Sequence, residues 1–197
     1  SMSKDYFDSR AAIWDEKVAE KNAGKLKSMA ARLELNPGSA VLDVGTGTGV
    51  FVPYILAKIG RSGKLVCLDY SEEMLRVARG KNFTGIISFV CADIVESGLP
   101  DEAFDAVVCY SVFPHFDHPF RALKEIYRML KPESRLYICH TSSRRAINKI
   151  HQSIPEVCDH LFPENDDMRR MLIDAGFLDI SIEDGADDYL VSARKGG

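Results

Sequence analysis

The segment Val41-Leu42-Asp43-Val44-Gly45-Thr46-Gly47-Thr48-Gly49 runs from a short apolar strand into a turn with glycine at every second position. Residues without Cβ adopt positive φ and let a ligand press on bare backbone, while the Asp43 carboxylate stands at the strand's carboxyl end, where open α/β sheets bind ligands. The spacing narrows the ligand. A dinucleotide turn needs G-x-G-x-x-G so that a helix N-terminus meets a pyrophosphate, whereas here the third glycine comes one residue early and Val50 holds its place. A pyrophosphate is therefore disfavoured.

Around this turn, apolar runs of strand length alternate with segments of helical period, which predicts a parallel sheet covered on both faces. Helices are expected over about 4–20, 22–34, 48–59, 71–80, 118–130, 142–152 and 164–175. Strands are expected over about 39–44, 64–69, 86–91, 104–110 and 134–140. Two further strands, near 177–184 and 187–194, would form a hairpin about Asp184-Gly185-Ala186-Asp187. The fold class is α/β, a Rossmann-like doubly wound, mostly parallel seven-stranded sheet with an antiparallel closing strand and helices on both faces. A chain of 197 residues is the size of one domain, here 1–197, with a helical segment 1–36 before a core 37–197. The acidic, proline-punctuated stretch from Ser153 to Asp167 reads as part of a substrate-side insertion near 142–167.

Several features in order give the chain a family resemblance. Asp43 and the G-x-G-x-G that follows resemble motif I of the class I S-adenosylmethionine-dependent methyltransferases. Asp69, 26 positions further on, ends the apolar run Lys64-Leu65-Val66-Cys67-Leu68-Asp69, where that family keeps the acid for the ribose hydroxyls. Cys91-Ala92-Asp93-Ile94 is similar to the third-strand turn, whose Asp accepts from the adenine amino group. Phe104-Asp105-Ala106-Val107-Val108-Cys109-Tyr110 matches the fourth strand, and Ala122-Leu123-Lys124-Glu125-Ile126-Tyr127-Arg128-Met129-Leu130-Lys131-Pro132 the helix and turn before the fifth. The resemblance implies S-adenosylmethionine as cofactor, bound by Asp43, Gly45, Thr46, Gly47, Gly49, Asp69, Tyr70, Met74, Asp93, Ile94 and Tyr110. Other readings stand beside these roles: Asp69 can cap the helix beginning at Ser71, Asp93 can stabilise its own turn, and Met74 and Ile94 can be plain core.

The opening Tyr6-Phe7-Asp8-Ser9-Arg10-Ala11-Ala12-Ile13-Trp14-Asp15 resembles the Tyr-Phe…Trp-Asp start of small-molecule methyltransferases of the quinone-biosynthesis branch, where it forms a lid. Tyr6, Arg10 and Trp14 fall at i, i+4 and i+8, one helical stripe able to cover the cofactor and exclude water. Tyr6 is accordingly a catalytic candidate and Arg10 a cofactor-binding one. An amphipathic helix anchored in the core through Phe7 and Trp14 explains the same pattern.

Methyl transfer is an in-line displacement that needs alignment and, for a hydroxyl or amine acceptor, a base. All five histidines, His115, His118, His140, His151 and His160, fall between residues 115 and 160, on the acceptor side in this family. His140 or His115 is the candidate base. Alternatively, imidazoles and a thiol bind a metal or a metal-containing acceptor such as a corrinoid. Against that, His140 and His151 at the ends of one helix would stand roughly 16 Å apart, and no zinc spacing occurs, so no metal ligand is assigned.

The formal charge of −4 offers no basic stripe for a nucleic acid, and no run approaches about 18 uncharged apolar residues, so neither nucleic acid nor a membrane span is expected. Five cysteines without a C-x-x-C pair, and no signal-peptide pattern, predict a reduced, cytoplasmic chain. The loop Cys109-Tyr110-Ser111-Val112-Phe113-Pro114-His115 lacks the Asn/Asp-Pro-Pro-aromatic motif of amino-methylating DNA enzymes. A small-molecule acceptor remains, taken by a monomer or homodimer. The competing classes are a nicotinamide oxidoreductase on the same sheet and a non-catalytic S-adenosylmethionine-binding domain.

Overall fold

The computed structural model describes residues 2–11 and 14–197, with side chains 2, 3 and 14–22 outside that description. Two helices, α1 (Met2–Arg10) and α2 (Trp14–Ala31), precede β1 (Ala40–Val44). Then come α3 (Val52–Ile59), β2 (Lys64–Asp69), α4 (Glu72–Gly80), β3 (Ile86–Cys91), β4 (Phe104–Tyr110), α5 (Pro119–Met129) and β5 (Leu130–His140). The chain closes with α6 (Arg144–Gln152), α7 (Asn165–Asp174), β6 (Leu178–Asp184) and β7 (Tyr189–Arg194). One seven-stranded sheet runs β3-β2-β1-β4-β5-β7-β6, parallel except for β7, which is antiparallel to both neighbours. Strand order therefore reverses between β1 and β4, which opens a crevice at their carboxyl ends.

Alternation along each strand feeds two cores. On β1, Val41 packs with Leu26, Met29 and Leu33 of the N-terminal helical segment and with Ile55 and Ile59 of α3. Its neighbour Leu42 faces the opposite side, among Leu123 and Ile126 of α5 and Met168 and Leu172 of α7. Both faces being covered, the central strands are near-continuous apolar runs, interrupted by Asp43 in β1 and Asp105 in β4. Leu42 and Val107 are wholly buried, each worth about 2 kcal/mol of apolar transfer.

The helical segment departs from the expected pattern. One helix over 4–20 and another over 22–34 are predicted; instead α1 ends at Arg10, the chain turns at Ala11, and α2 runs from Trp14 to Ala31. Tertiary contact overrides local helix preference here. Asp8 pairs with Lys4 at 2.9 Å and accepts from the Ser71 hydroxyl, which fastens α1 to the N-terminus of α4. The stripe Tyr6, Arg10, Trp14 is therefore not continuous, and the Trp14 side chain lies outside the described residues. Likewise α3 starts at Val52 rather than 48, because Gly47 and Gly49 have φ of +59° and +85°, which a right-handed helix does not admit. The final hairpin forms, with its turn shifted so that the Gly185 amide donates to the Asp188 carbonyl.

Candidate active site

The crevice holds a cavity of about 330 Å³. Its wall at one end is Gly45, Thr46, Gly47, Asp69, Tyr70, Met74, Asp93 and Ile94; at the other, Ser111, His115, Phe116, His140, Ile147 and His151. Tyr110 and Phe7 also face it.

The glycine loop is shaped by its own backbone. The Gly45 and Thr46 amides both donate to the Leu68 carbonyl, at 2.7 and 3.1 Å, and the Gly47 amide donates to Asp69 Oδ2 at 2.8 Å. These amides are used within the protein and not offered to an anion, which opposes a pyrophosphate-binding turn. A Cβ on Gly45 would stand 2.2 Å from Val112 Cγ2, so the β4 loop packs directly on this backbone. A Cβ on Gly47 would meet nothing within 4 Å, which leaves open space beside a wall residue. That is room for a ligand against bare main chain. Gly49 is not on the wall: it is turned towards Phe83, whose ring a Cβ would meet at 2.9 Å, so its role is packing.

Asp69 accepts from the amides of Gly47 and Ser71, and Ser71 caps α4 by accepting from the Met74 amide at 3.1 Å. The capping and ligand readings of Asp69 thus coexist, since a carboxylate accepts about four hydrogen bonds and two are filled. Burial pushes its pKa up, and the backbone amides of Ser71, Gly47 and Tyr70 partly offset that. Asp43 lies beneath the loop, off the wall, and its Oδ2 accepts from Thr46 Oγ1 at 3.0 Å. Desolvation raises its pKa to about 7. Asp43 thus grips the loop through Thr46. Asp93 caps the 3₁₀ turn Ile94–Glu96 through the Val95 amide and still faces the cavity. Among the described residues the buried Tyr70 hydroxyl has no partner, an orphan that a polar ligand would satisfy. Open space at Gly47, spare acceptor capacity on Asp69 and this hydroxyl suit a hydroxylated nucleoside.

At the other end, His140 donates from Nε2 to Ser111 Oγ at 2.9 Å, while its Nδ1 accepts from the Ser142 amide at 3.2 Å. Both ring nitrogens are engaged and burial holds the pKa down at about 3. His140 as placed has no free lone pair and fixes Ser111, whose φ of +58° is strained, in the wall. His115 differs. Its Nδ1 is 2.8 Å from His160 Nδ1, its ring meets Phe7 edge-on at 5.0 Å and His151 at 4.8 Å, and no described residue bonds its Nε2. Burial, then neighbouring imidazoles, hold its pKa well below the usual histidine value. Tyr110 stacks on Phe51 and bonds Thr141, and burial lifts its phenol to about 12.

Tyr6 and Arg10 do not reach the wall. The Arg10 guanidinium stacks 4.0 Å over the Tyr6 ring, Tyr6 is almost wholly buried, and it is the adjacent Phe7 that α1 turns into the cavity. The sequence alone assigns no role to Ser111, and none individually to His151 or His160. The histidine clustering between 115 and 160 was their signal, yet spacing along the chain does not disclose which rings meet. Among the described residues, no three His, Cys, Asp or Glu side chains are arranged to hold a metal ion.

Residues 42–138 match the family model described as a methyltransferase domain. The chain is 30% identical over 149 residues to the demethylmenaquinone methyltransferase of Symbiobacterium thermophilum, covering 72% of this chain and 59% of that protein. It is 27% identical over 170 residues to the ubiquinone/menaquinone biosynthesis C-methyltransferase UbiE of Ectopseudomonas mendocina, covering 73% and 66%. This chain therefore spans less than two thirds of either relative. The fold is that of a solved S-adenosylmethionine-dependent methyltransferase from Aquifex aeolicus, with a TM-score of 0.76 at 23% identity over 95% of this chain and 97% of that one. The glycine loop with its acids, the sheet order and these likenesses agree: residues 42–138 carry a methyltransferase domain, and the chain resembles the class I S-adenosylmethionine-dependent methyltransferases of the quinone-biosynthesis branch.

Proposed function

We propose that this protein transfers a methyl group to a small hydroxylated aromatic ring, with His115 as the base. The observation that carries the reading is a single cavity whose two ends differ: unpaired acceptor and donor capacity beside open glycine backbone at one, a bare imidazole among apolar side chains at the other. When bound, S-adenosylmethionine supplies the electrophilic methyl group. Gly47, with open space beside it, would receive its nucleoside against the main chain, Asp69 would accept from the ribose hydroxyls, and Met74 and Ile94 would flank the adenine near Asp93. Asp43 holds the loop through Thr46. Phe7, Phe116, Ile147 and Ile150 line an apolar seat for a ring, and the relatives' names, which refer to demethylmenaquinone and to ubiquinone/menaquinone biosynthesis, support that acceptor class. His115 Nε2 removes a ring hydroxyl proton, which raises electron density on the ring and makes it the nucleophile.

α1 serves as a lid in this reading, fastened through Asp8 and Ser71 with Phe7 as its inward face, and α6 with the following loop builds the acceptor side. No described helix is long and apolar enough to cross a membrane. All five cysteines are unpaired, which supports a reducing, cytoplasmic setting. A nicotinamide cofactor is opposed by the consumed amides of the loop.

The test is an acceptor screen that reads S-adenosylhomocysteine release over dihydroxynaphthalenes, phenols, thiols and amines, run beside thermal shift with each cofactor. Release with dihydroxynaphthalenes and stabilisation by S-adenosylmethionine are expected. Stabilisation by a nicotinamide dinucleotide alone, or binding of S-adenosylmethionine without release on any acceptor, contradicts it.

A further inference from the structure

We propose that His160 and Asp159 form a proton exit for the transfer step and set the tautomer that points the His115 lone pair into the cavity. This rests on His115 being the base.

One short contact sets the tautomers of both rings. His115 Nδ1 and His160 Nδ1 are 2.8 Å apart, so one must donate and the other accept. Neutral imidazoles prefer the proton on Nε2, and only one ring of the pair can keep it there. His160 is the ring held in that form. Its Nε2 stands 3.8 Å from Oδ1 of the exposed Asp159, whose negative charge favours a proton on that nitrogen. His160 Nδ1 is then the acceptor, His115 carries its proton on Nδ1, and His115 Nε2 is left bare on the cavity side. A carboxylate, an intermediate group and a base so ordered follow the logic by which an acid fixes a catalytic imidazole.

The loop carrying His160 is built to keep this alignment. His151, on α6, donates from Nδ1 to the His160 carbonyl at 2.6 Å. Asn148, one turn earlier, clasps Phe162 from both sides, accepting from its amide at 2.7 Å and donating to its carbonyl at 3.3 Å. The His160 side chain is mostly covered while Asp159 is 86% exposed, so the pair leads from the cavity wall to solvent.

The step balances without a further reagent. The acceptor's electron pair forms the bond to the methyl carbon, the methyl–sulfur bond breaks, and its pair stays on sulfur as a neutral thioether. The acceptor's hydroxyl proton goes to His115 Nε2, the His115 Nδ1 proton moves to His160 Nδ1, the His160 Nε2 proton leaves to water beside Asp159, and the proton on the methylated ring carbon shifts to the ring oxygen as aromaticity returns, so that one proton is released in all. His160 acts through His115 and is a positioning residue.

The test reads tautomers directly. Long-range proton–nitrogen correlation spectra of the ¹⁵N-histidine-labelled protein, with cofactor absent, should show His115 protonated at Nδ1 and His160 at Nε2. In His160→Leu, His115 should revert to Nε2–H; in His160→Asn, whose side-chain oxygen replaces the accepting nitrogen, it should keep Nδ1–H. With a dihydroxynaphthalene as acceptor, His160→Leu should lower kcat by about 10²-fold with the S-adenosylmethionine KM unchanged, and His160→Asn by about tenfold. His115 protonated at Nε2 in the parent protein overturns the inference, as does equal loss of kcat in both variants, which would mark His160 as packing alone. Methyl transfer with His115 protonated at Nε2 would remove the relay and leave the transferase reading intact; absence of S-adenosylmethionine binding would remove that reading while the spectra still decide the tautomers.

Discussion

At the glycine-loop end of the cavity, geometry is set by main-chain amides on Leu68 and Asp69 and the buried acids are pushed towards protonation. At the histidine end it is set by side chains drawn from separate elements, and the buried bases are pushed away from it. Desolvation does both, because a dry site penalises whichever form is charged. The two ends consequently respond to pH in opposite senses. Asp43 is raised from 3.8 to about 7: between those values the folded state keeps a proton that the unfolded state has released, so stability falls as pH rises through that window and the loss is complete above it. His140 is lowered from 6.5 to about 3: the unfolded state takes up a proton that the folded state refuses, so stability falls as pH drops from 6.5 towards 3. Such a molecule binds its ligands in a water-poor slot where electrostatic contacts are strong, and carries the cost at both ends of the pH scale.

The division of labour breaks most visibly at His115. His115→Gln should lower kcat on a dihydroxynaphthalene by about 10³-fold, while S-adenosylmethionine affinity by calorimetry stays within about twofold. Gly45→Ala should do the reverse. Its Cβ would meet Val112 Cγ2 at 2.2 Å on a residue at φ +72°, and cofactor affinity should fall by about 100-fold. Adding Val112→Ala should recover part of that loss, since only the collision is relieved. Asp69→Asn should weaken cofactor binding by about 30-fold, the loss of a charge-assisted acceptor, with little change in kcat at saturation. Should His115→Gln harm cofactor binding as much as Asp69→Asn does, the two ends are not separable. The smallest effect is on stability: Asp43→Asn should raise the unfolding free energy of the cofactor-free protein at pH 8 by about 1–2 kcal/mol and leave it unchanged at pH 3.5, as denaturant melts would show.

The same contrast explains what could be read in the sequence. The β1–loop–β2 end is local: Val41–Gly49 and Lys64–Asp69 carry strand, turn and acid within short windows, and the observed parallel register Val41↔Leu65 follows from their apolar patterns. The histidine end is non-local. His115 and His160 are 45 residues apart and joined by ring nitrogens, and whether His140 has a free nitrogen depends on the Ser142 amide, which only the folded turn supplies. The N-terminal stripe misled for a related reason. Helical spacing places Tyr6 and Arg10 on one face, but the contact of Asp8 with Ser71 decides that Phe7 faces the cavity.

The most direct test of the account is a crystal structure with S-adenosylhomocysteine. The ribose hydroxyls are expected on Asp69, the adenine between Met74 and Ile94, and the thioether sulfur turned towards His115 across the cavity. A nucleoside lying at the histidine end, or a crevice left empty at millimolar ligand, would contradict it.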